Sequence, residues 1–267
     1  MINEEIKKQT RKIQLRLLNE FQKICEKNKF KFWLDFGTLL GAVRHNGFIP
    51  WDDDIDVSMP IEDYKKFLEI AEKELPKDIF LQTPKTDKSY KQYFTKLRDT
   101  GSTFLEHHEN KEHQQKYPYH KGIFIDIFPS VAYPKMPKLF RKIMFRTTVR
   151  SRYNAVVLSK NRWLNYPIYF FCKSVWFLAS FFKKTALGRT PEDNGYMCTT
   201  HISYIFPLKK VEFEGKFYFA PNNPNKHLSQ MYRNHTTPTP IEKRIPHANI
   251  ILPDTPCNHP KAFKRIV

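Results

Sequence analysis

Gly37–Val57 reads GTLLGAVRHNGFIPWDDDIDV, and the segment Asp52-Asp53-Asp54-Ile55-Asp56 inside it decides how the chain is read. Side chains on a strand alternate between faces. In an extended segment Asp52, Asp54 and Asp56 share one face, while Ile55, Val57 and Met59 share the other and can enter a core. Three like charges on one face repel each other. A divalent cation removes that repulsion, and hard carboxylate oxygens suit Mg²⁺ or Mn²⁺. A calcium loop starting at Asp52 would need Gly at its sixth position and Glu at its twelfth. The chain has Val57 and Asp63 there, with Pro60 between them, so that template is excluded. An acidic turn in solvent is the plainer alternative, and the regular alternation beside Trp51 and Ile55 weighs against it.

A second acid supports the metal reading. In Ile123-Phe124-Ile125-Asp126-Ile127-Phe128 one carboxylate stands in an apolar run. A lone buried carboxylate costs several kcal/mol unless it is paired or neutralised. A cation shared with Asp54 and Asp56 on a neighbouring strand would resolve this, as would a salt bridge to Lys or Arg. Upstream, Gly37-Thr38 follows a strand pattern and opens a helical one. Glycine lets backbone approach a phosphate, and a helix N-terminus offers free N–H groups.

Outward from this segment, apolar residues at helical spacing predict a helix over residues 3–28. Strands are expected at 30–36, 54–59, 79–82, 93–99 and 122–128. A helical turn is expected at 39–44, and a helix from Ile61. Residues 106–120, with four histidines, read as a surface loop. From Pro129 to about 200 the pattern is helical. Residues 211–219 read as a strand or hairpin, and the tail from Pro221 as surface loop. The expected class is α+β with an α/β-like core. Residues 1–130 would form the catalytic core with its N-terminal helix. Residues 131–267 would form a mostly helical, aromatic-rich subdomain and a C-terminal extension.

The formal charge of +18 favours polyanionic partners, among them anionic membrane, phosphorylated glycans and nucleotides. Lys and Arg are dispersed, with no RNP-like motif or zinc-finger spacing, which argues against nucleic acid. Four cysteines form no Cys-x-x-Cys and read as reduced thiols. The charged start lacks the apolar core of a signal peptide. Residues 163–182 are rich in aromatics and flanked by Arg162 and Lys183-Lys184, but Pro167 and Lys173 interrupt them. A span needs about 20 predominantly apolar residues. The readings are therefore a buried helix, or an interfacial helix on the cytoplasmic face of the inner membrane, ahead of a span.

The run from Gly37 to Val57 resembles the signature of the LicD family, which includes the fukutin-related proteins, within the polymerase-β-like nucleotidyltransferase superfamily. Tyr93-Phe-Thr-Lys-Leu-Arg-Asp-Thr100 and Gly122-Ile-Phe-Ile-Asp-Ile-Phe-Pro129 resemble two further blocks. Phe213-Glu-Gly-Lys216 and Leu228–Tyr232 resemble a faint C-terminal continuation. The chain departs from the family pattern at Ser130-Val131, where an acid is usual, and at Arg233, where Gly is. Both departures bear on the acceptor side.

The resemblance implies a mixed sheet flanked by helices and a cytoplasmic phosphotransferase. It would move phosphocholine, or a related alcohol phosphate, from a CDP-linked donor such as CDP-choline to a glycan or glycolipid of lipopolysaccharide, capsule or teichoic acid. By position, Asp54 and Asp56 would hold Mg²⁺ or Mn²⁺ with Asp52 in support. Asp126 would be the third carboxylate and help deprotonate the sugar hydroxyl, and Gly37 and Thr38 would hold donor phosphate. Lys96 and Arg98 alternate on one strand face and would neutralise phosphate; Arg44 would touch phosphate or serve structure. Three alternatives stand beside this reading: an Asp-x-Asp glycosyltransferase using a nucleotide sugar, nucleotidyl transfer with release of pyrophosphate, and a non-catalytic membrane- or polyanion-binding protein.

Overall fold

The computed structural model describes residues 3–107, 118–134, 167, 170, 171, 174, 177, 178, 181–190, 199–232, 234–244 and 246–262. In chain order the elements are α1 (Glu4–Lys27), β1 (Trp33–Leu34), α2 (Phe36–His45), β2 (Asp56–Pro60), α3 (Ile61–Glu74), β3 (Ile79–Gln82), β4 (Thr95–Asp99), β5 (Thr103–Glu106) and β6 (Phe124–Pro134). There follow β7 (Lys184–Arg189), β8 (Thr199–His201), α4 (Ile202–Ile205), β9 (Lys209–Phe213), β10 (Lys216–Ala220), α5 (Pro224–Met231) and β11 (Ala248–Leu252). The chain divides into two compact units. The first comprises Met1–Phe128, Lys209–Ala220 and His235–Val267, and the second Pro129–Leu208 and Pro221–Asn234.

The first unit carries five strands in the order β1-β2-β6-β4-β3. Its core is built by α1, whose buried residues Ile13, Leu17, Leu18, Phe21, Ile24 and Cys25 recur at helical spacing. Asn3 caps the helix, its side-chain oxygen accepting from the Glu5 N–H at 3.1 Å. Glu4 and Glu5 in the first turn and Lys27 in the last suit the helix dipole. Phe21 meets Phe32 and Phe67 edge-on, with centroids 5.0 and 5.2 Å apart. Burying each such side chain contributes about 1.5–3 kcal/mol. The β9–β10 hairpin and the β11–β5 pair complete this unit. Gly122 is forced by contact, since a Cβ there would collide with the Asp99 carbonyl.

In the second unit Ser130–Pro134 of β6 pairs antiparallel with β7, and β7 with β8. The Tyr133 hydroxyl donates to the Arg189 carbonyl at 2.6 Å. Asn223 caps α5, accepting from the Lys226 N–H at 3.0 Å, with Pro224 in the first turn.

The structure is a mixed fold with strands and helices packed together, as the α+β expectation requires. Several local readings change. The strand expected over 30–36 shrinks to Trp33–Leu34, because Asp35 caps α2 one turn earlier than read. The expected helical run beyond Pro129 is kept at the described residues 167, 170, 171, 174, 177 and 178 and gives way on either side of them. There β6 continues through Pro134, and Lys184–Arg189 and Thr199–His201 are strands. The tail is not featureless loop, since α5 and β11 lie in it. Within the expected histidine loop, residues 108–117 lie outside the described residues, and His120 is fully buried rather than on the surface. Most of 163–182 also lies outside them. Among the described residues no helix is long and apolar enough to cross a membrane.

Candidate active site

The site is assembled in the first unit around the junction of β1 and α2. Asp35 is buried there and fastens three groups. Its carboxylate accepts from the Phe36 N–H at 2.9 Å, the Trp33 indole N–H at 3.2 Å and the Ser58 hydroxyl at 2.6 Å. Trp33 is thus core, held to the helix cap. Phe36 adopts φ 46°, a left-handed conformation costly for a side chain with a Cβ. Its ring meets Phe128 edge-on at 5.2 Å.

The next two residues hold aspartates. A Cβ on Gly37 would lie 2.6 Å from Asp52 Oδ2, so only glycine lets this carboxylate rest against the start of α2. The Thr38 hydroxyl oxygen accepts from the Asp56 N–H at 2.8 Å, and both residues are buried. The Asp56 carbonyl accepts from the Asp35 N–H at 3.1 Å. Both backbone polar groups of Asp56 are therefore used to lock the strand.

Asp53 points elsewhere than its neighbours. Its carboxylate accepts from the backbone N–H groups of His247 at 3.2 Å and Ala248 at 2.9 Å, and lies 3.0 Å from His247 Nδ1. The Asp53 carbonyl accepts from Gln14 at 2.6 Å. His247 Nδ1 also lies 3.4 Å from Asp54 Oδ2. Asp52, Asp53, Asp54 and His247 each offer one ligand atom, and these atoms all lie within 4.8 Å of one another. This is a donor set a metal ion could use. Burial, followed by the charge of Asp52, raises the Asp54 pKa well above the ordinary carboxylate range, with Asp126 and Asp53 adding to it and His247 opposing. Burial likewise raises Asp52, again opposed by His247. The hydrogen bond to Asp53 pushes His247 up to about 9 against the effect of burial, with the charges of Asp54, Asp53 and Asp52 assisting.

Asp126 and Lys96 face each other across β6 and β4. Lys96 Nζ lies 2.7 Å from Asp126 Oδ1 and 3.0 Å from Oδ2, and 3.3 Å above the Phe124 ring. The Asp126 N–H donates to the Ile55 carbonyl at 2.8 Å, which sets this acid beside the aspartate run. Burial raises the Asp126 pKa, while Lys96 and Arg98 oppose it.

The expected site residues therefore fall into groups. Asp52 and Asp54 share the four-residue ligand set, whereas Asp56 and Asp126 stand outside it. Gly37 and Thr38 abut Asp52 and Asp56. Arg98 is buried and bonded to Gln82 Oε1 at 2.6 Å and to the Gly122 carbonyl at 2.7 Å. Arg44 sits in the last turn of α2, seven residues beyond Gly37, or about 10 Å along the axis.

His247 and Arg244 carry no sequence signal, and Glu214 stands in the Phe213–Lys216 block without an assigned role. His247 carries no local motif beyond preceding the strand-like Ala248–Leu252. Arg244 stacks over Trp51 at 3.9 Å. Glu214 accepts from the Phe48 N–H at 3.0 Å and packs against Gly47, which ties the β9–β10 turn to the loop before the acids. A cavity of about 290 Å³ opens beside Asp52 and Asp53 and is also lined by Trp51, Pro246, Lys7 and Arg11.

Residues 29–155 match the family model described as LicD/FKTN/FKRP, nucleotidyltransferase domain. The chain is 29% identical over 259 residues to the lipopolysaccharide cholinephosphotransferase LicD of Haemophilus influenzae, an alignment covering 87% of this chain and 92% of that protein. It is 45% identical over 40 residues to the ribitol 5-phosphate transferase FKRP of Homo sapiens, covering 15% of this chain and 8% of that one. Over 112 residues it is 26% identical to mannosyltransferase regulator 4 of Saccharomyces cerevisiae, covering 42% and 9%.

Proposed function

Because the chain belongs to the LicD family and is a LicD-like transferase, we propose that it moves phosphocholine, or a related alcohol phosphate, from a CDP-linked donor to a hydroxyl of a cell-surface glycan. The observation that carries this reading is the meeting of Asp52 and Asp54 beside Gly37, with the Lys96–Asp126 pair on the adjoining strands. The fold reading goes with it: Gly-Thr, then Asp-x-Asp, then a lone Asp on a neighbouring strand is the order of a polymerase-β-like nucleotidyltransferase core. A nucleotide-linked donor implies a cytoplasmic setting.

The donor set fits a divalent cation, since burial, and at Asp54 the neighbouring charge of Asp52, disfavours the ionised carboxylates, and these present hard oxygens. Asp52 and Asp54, with Asp53 and His247 beside them, would hold Mg²⁺ or Mn²⁺; Asp56 and Asp126, outside that set, would be the further ligands. When bound, the ion would offset charge on the donor diphosphate and on the oxygens exchanging at phosphorus. The remaining work falls to the chain. The sugar hydroxyl oxygen bonds to phosphorus as the bond from phosphorus to the CMP oxygen breaks, and CMP leaves. Asp126 takes the hydroxyl proton, and Lys96 keeps that carboxylate in position. Thr38 and Gly37 hold Asp56 and Asp52 in register, and Lys7 and Arg11 supply positive charge in the adjoining cavity.

The test is product analysis. Purified protein with Mg²⁺ or Mn²⁺ is offered CDP-choline, CDP-ethanolamine, CDP-glycerol and CDP-ribitol, with and without lipopolysaccharide, capsule or teichoic acid. CMP release that depends on the glycan, and is lost in Asp54→Asn, is expected. Nucleoside diphosphate released from a nucleotide sugar would replace this reading with glycosyl transfer, and pyrophosphate released from CTP with nucleotidyl transfer.

A further inference from the structure

Six of the ten exposed large apolar side chains among the described residues lie between residues 170 and 182. They are Phe170, Phe171, Phe177, Leu178, Phe181 and Phe182, each 61 to 73% exposed. The described residues of this stretch are helical at 167, 170, 171, 174, 177 and 178. Local geometry agrees. The Ser174 hydroxyl donates to the Phe170 carbonyl four residues back at 2.9 Å. The Phe177 and Phe181 rings meet edge-on at 5.2 Å, and the Phe181 N–H donates to the Leu178 carbonyl at 3.3 Å as the helix ends. At the helical period, positions 167, 170, 171, 174, 177, 178 and 181 fall within an arc of roughly 120°. The result is one aromatic face turned to solvent. Exposed Lys183 and Lys184 follow it directly.

We propose that this face lies in the interface of an anionic lipid bilayer, with Phe170, Phe171, Phe177, Leu178 and Phe181 entering the acyl boundary and Lys183 and Lys184 at the headgroups. Charge selects this occupant. A second copy would bring two further lysines and another formal charge of +18 against the same patch, whereas anionic headgroups attract both. A polar surface of neutral protein would leave the rings unburied. Pro167 and Lys173 interrupt the roughly 20 apolar residues a span requires, so the face rests on the bilayer. This inference stands apart from the transfer chemistry, and its assay needs neither donor nor acceptor.

The experiment is co-sedimentation of the full chain with vesicles of phosphatidylglycerol and phosphatidylethanolamine, compared with vesicles of phosphatidylcholine alone. Wild type should pellet with the anionic vesicles at least about tenfold more tightly than with the zwitterionic ones, and high salt should weaken it. Phe177→Ser/Phe181→Ser should lose at least about tenfold in affinity for both. Lys183→Glu/Lys184→Glu, with its aromatic face untouched, should lose only the preference for anionic lipid. Circular dichroism checks that each variant is folded. Wild type that stays in the supernatant with both vesicles would overturn the proposal. So would a folded Phe177→Ser/Phe181→Ser protein that pellets like wild type, or a dimer in solution that this double substitution dissolves.

Discussion

Lys96 Nζ lies within 3.0 Å of both carboxylate oxygens of Asp126, and the two residues are direct partners across β4 and β6. Both are buried, so each is the other's main compensation for leaving water. Lys96→Met would strand a buried carboxylate. Chemical denaturation should show a loss of about 3–5 kcal/mol. Lys96→Met/Asp126→Asn should recover much of that stability while remaining inactive. A double variant as unstable as Lys96→Met alone would mean the pair is not coupled.

Gly37→Ala places a methyl group 2.6 Å from Asp52 Oδ2. The carboxylate must move, since the helix backbone cannot. Displacing one catalytic acid by about 1 Å can cost on the order of a hundredfold in rate. Steady-state kinetics should show a large fall in kcat, and the thermal midpoint should change by only a few degrees. Unchanged turnover would show that Asp52 does not need this placement.

Thr38 is expected to act through Asp56. Thr38→Val leaves the Asp56 N–H buried without its acceptor, at a cost of about 1–3 kcal/mol. Thr38→Ser keeps the oxygen and should restore both stability and kcat. A rise in donor KM with kcat intact would instead assign the hydroxyl to donor binding.

His120 should make the protein acid-labile. Its Nδ1 accepts from the Gly122 N–H at 3.0 Å, and Cys257 Sγ lies 3.7 Å away. Burial, then the charges of Arg98, His259 and Lys121, push its pKa down to about 2, and Asp87 accepts from its backbone N–H. An unfolded imidazole titrates near 6.5. Between those values the unfolded chain binds a proton that the native chain refuses. The contribution of this residue is therefore intact above about pH 6.5 and is lost as pH falls below it, by up to about 1.4 kcal/mol per unit. The urea midpoint of His120→Gln should fall less steeply between pH 6.5 and 4.5 than that of wild type. Parallel slopes would contradict the assignment.

What was legible in the chain was local. The acidic run itself stood out, but strand alternation misplaced its side chains: the strand begins only at Asp56, and Asp52 and Asp54 gather with Asp53 and His247 instead. Asp126 stood out because its flanks are apolar. Gly37 was legible as a site of close approach, but not what approaches it, since the Asp52 carboxylate arrives through the intervening turn. The start of α2 was readable in principle from Asp35, a favoured capping residue. His247 and Glu214 were illegible for a different reason. They reach the site from 194 and 166 residues beyond their partners Asp53 and Phe48. No periodicity connects positions that far apart. The strands at 184–189 and 199–201 were obscured by an aromatic-rich stretch whose apolar spacing fits a helix as easily.

The bond from the Ala248 N–H to Asp53 spans 195 residues, so it also sets a clock. At about 5–20 residues per second, a ribosome needs some 10 to 40 s to make the second partner after the first. Throughout that interval the nascent Asp53 carboxylate lacks the N–H donors that later neutralise it. A chain interrupted before residue 248 would carry every aspartate named here and still lack the finished site, so catalytic competence should emerge late in translation.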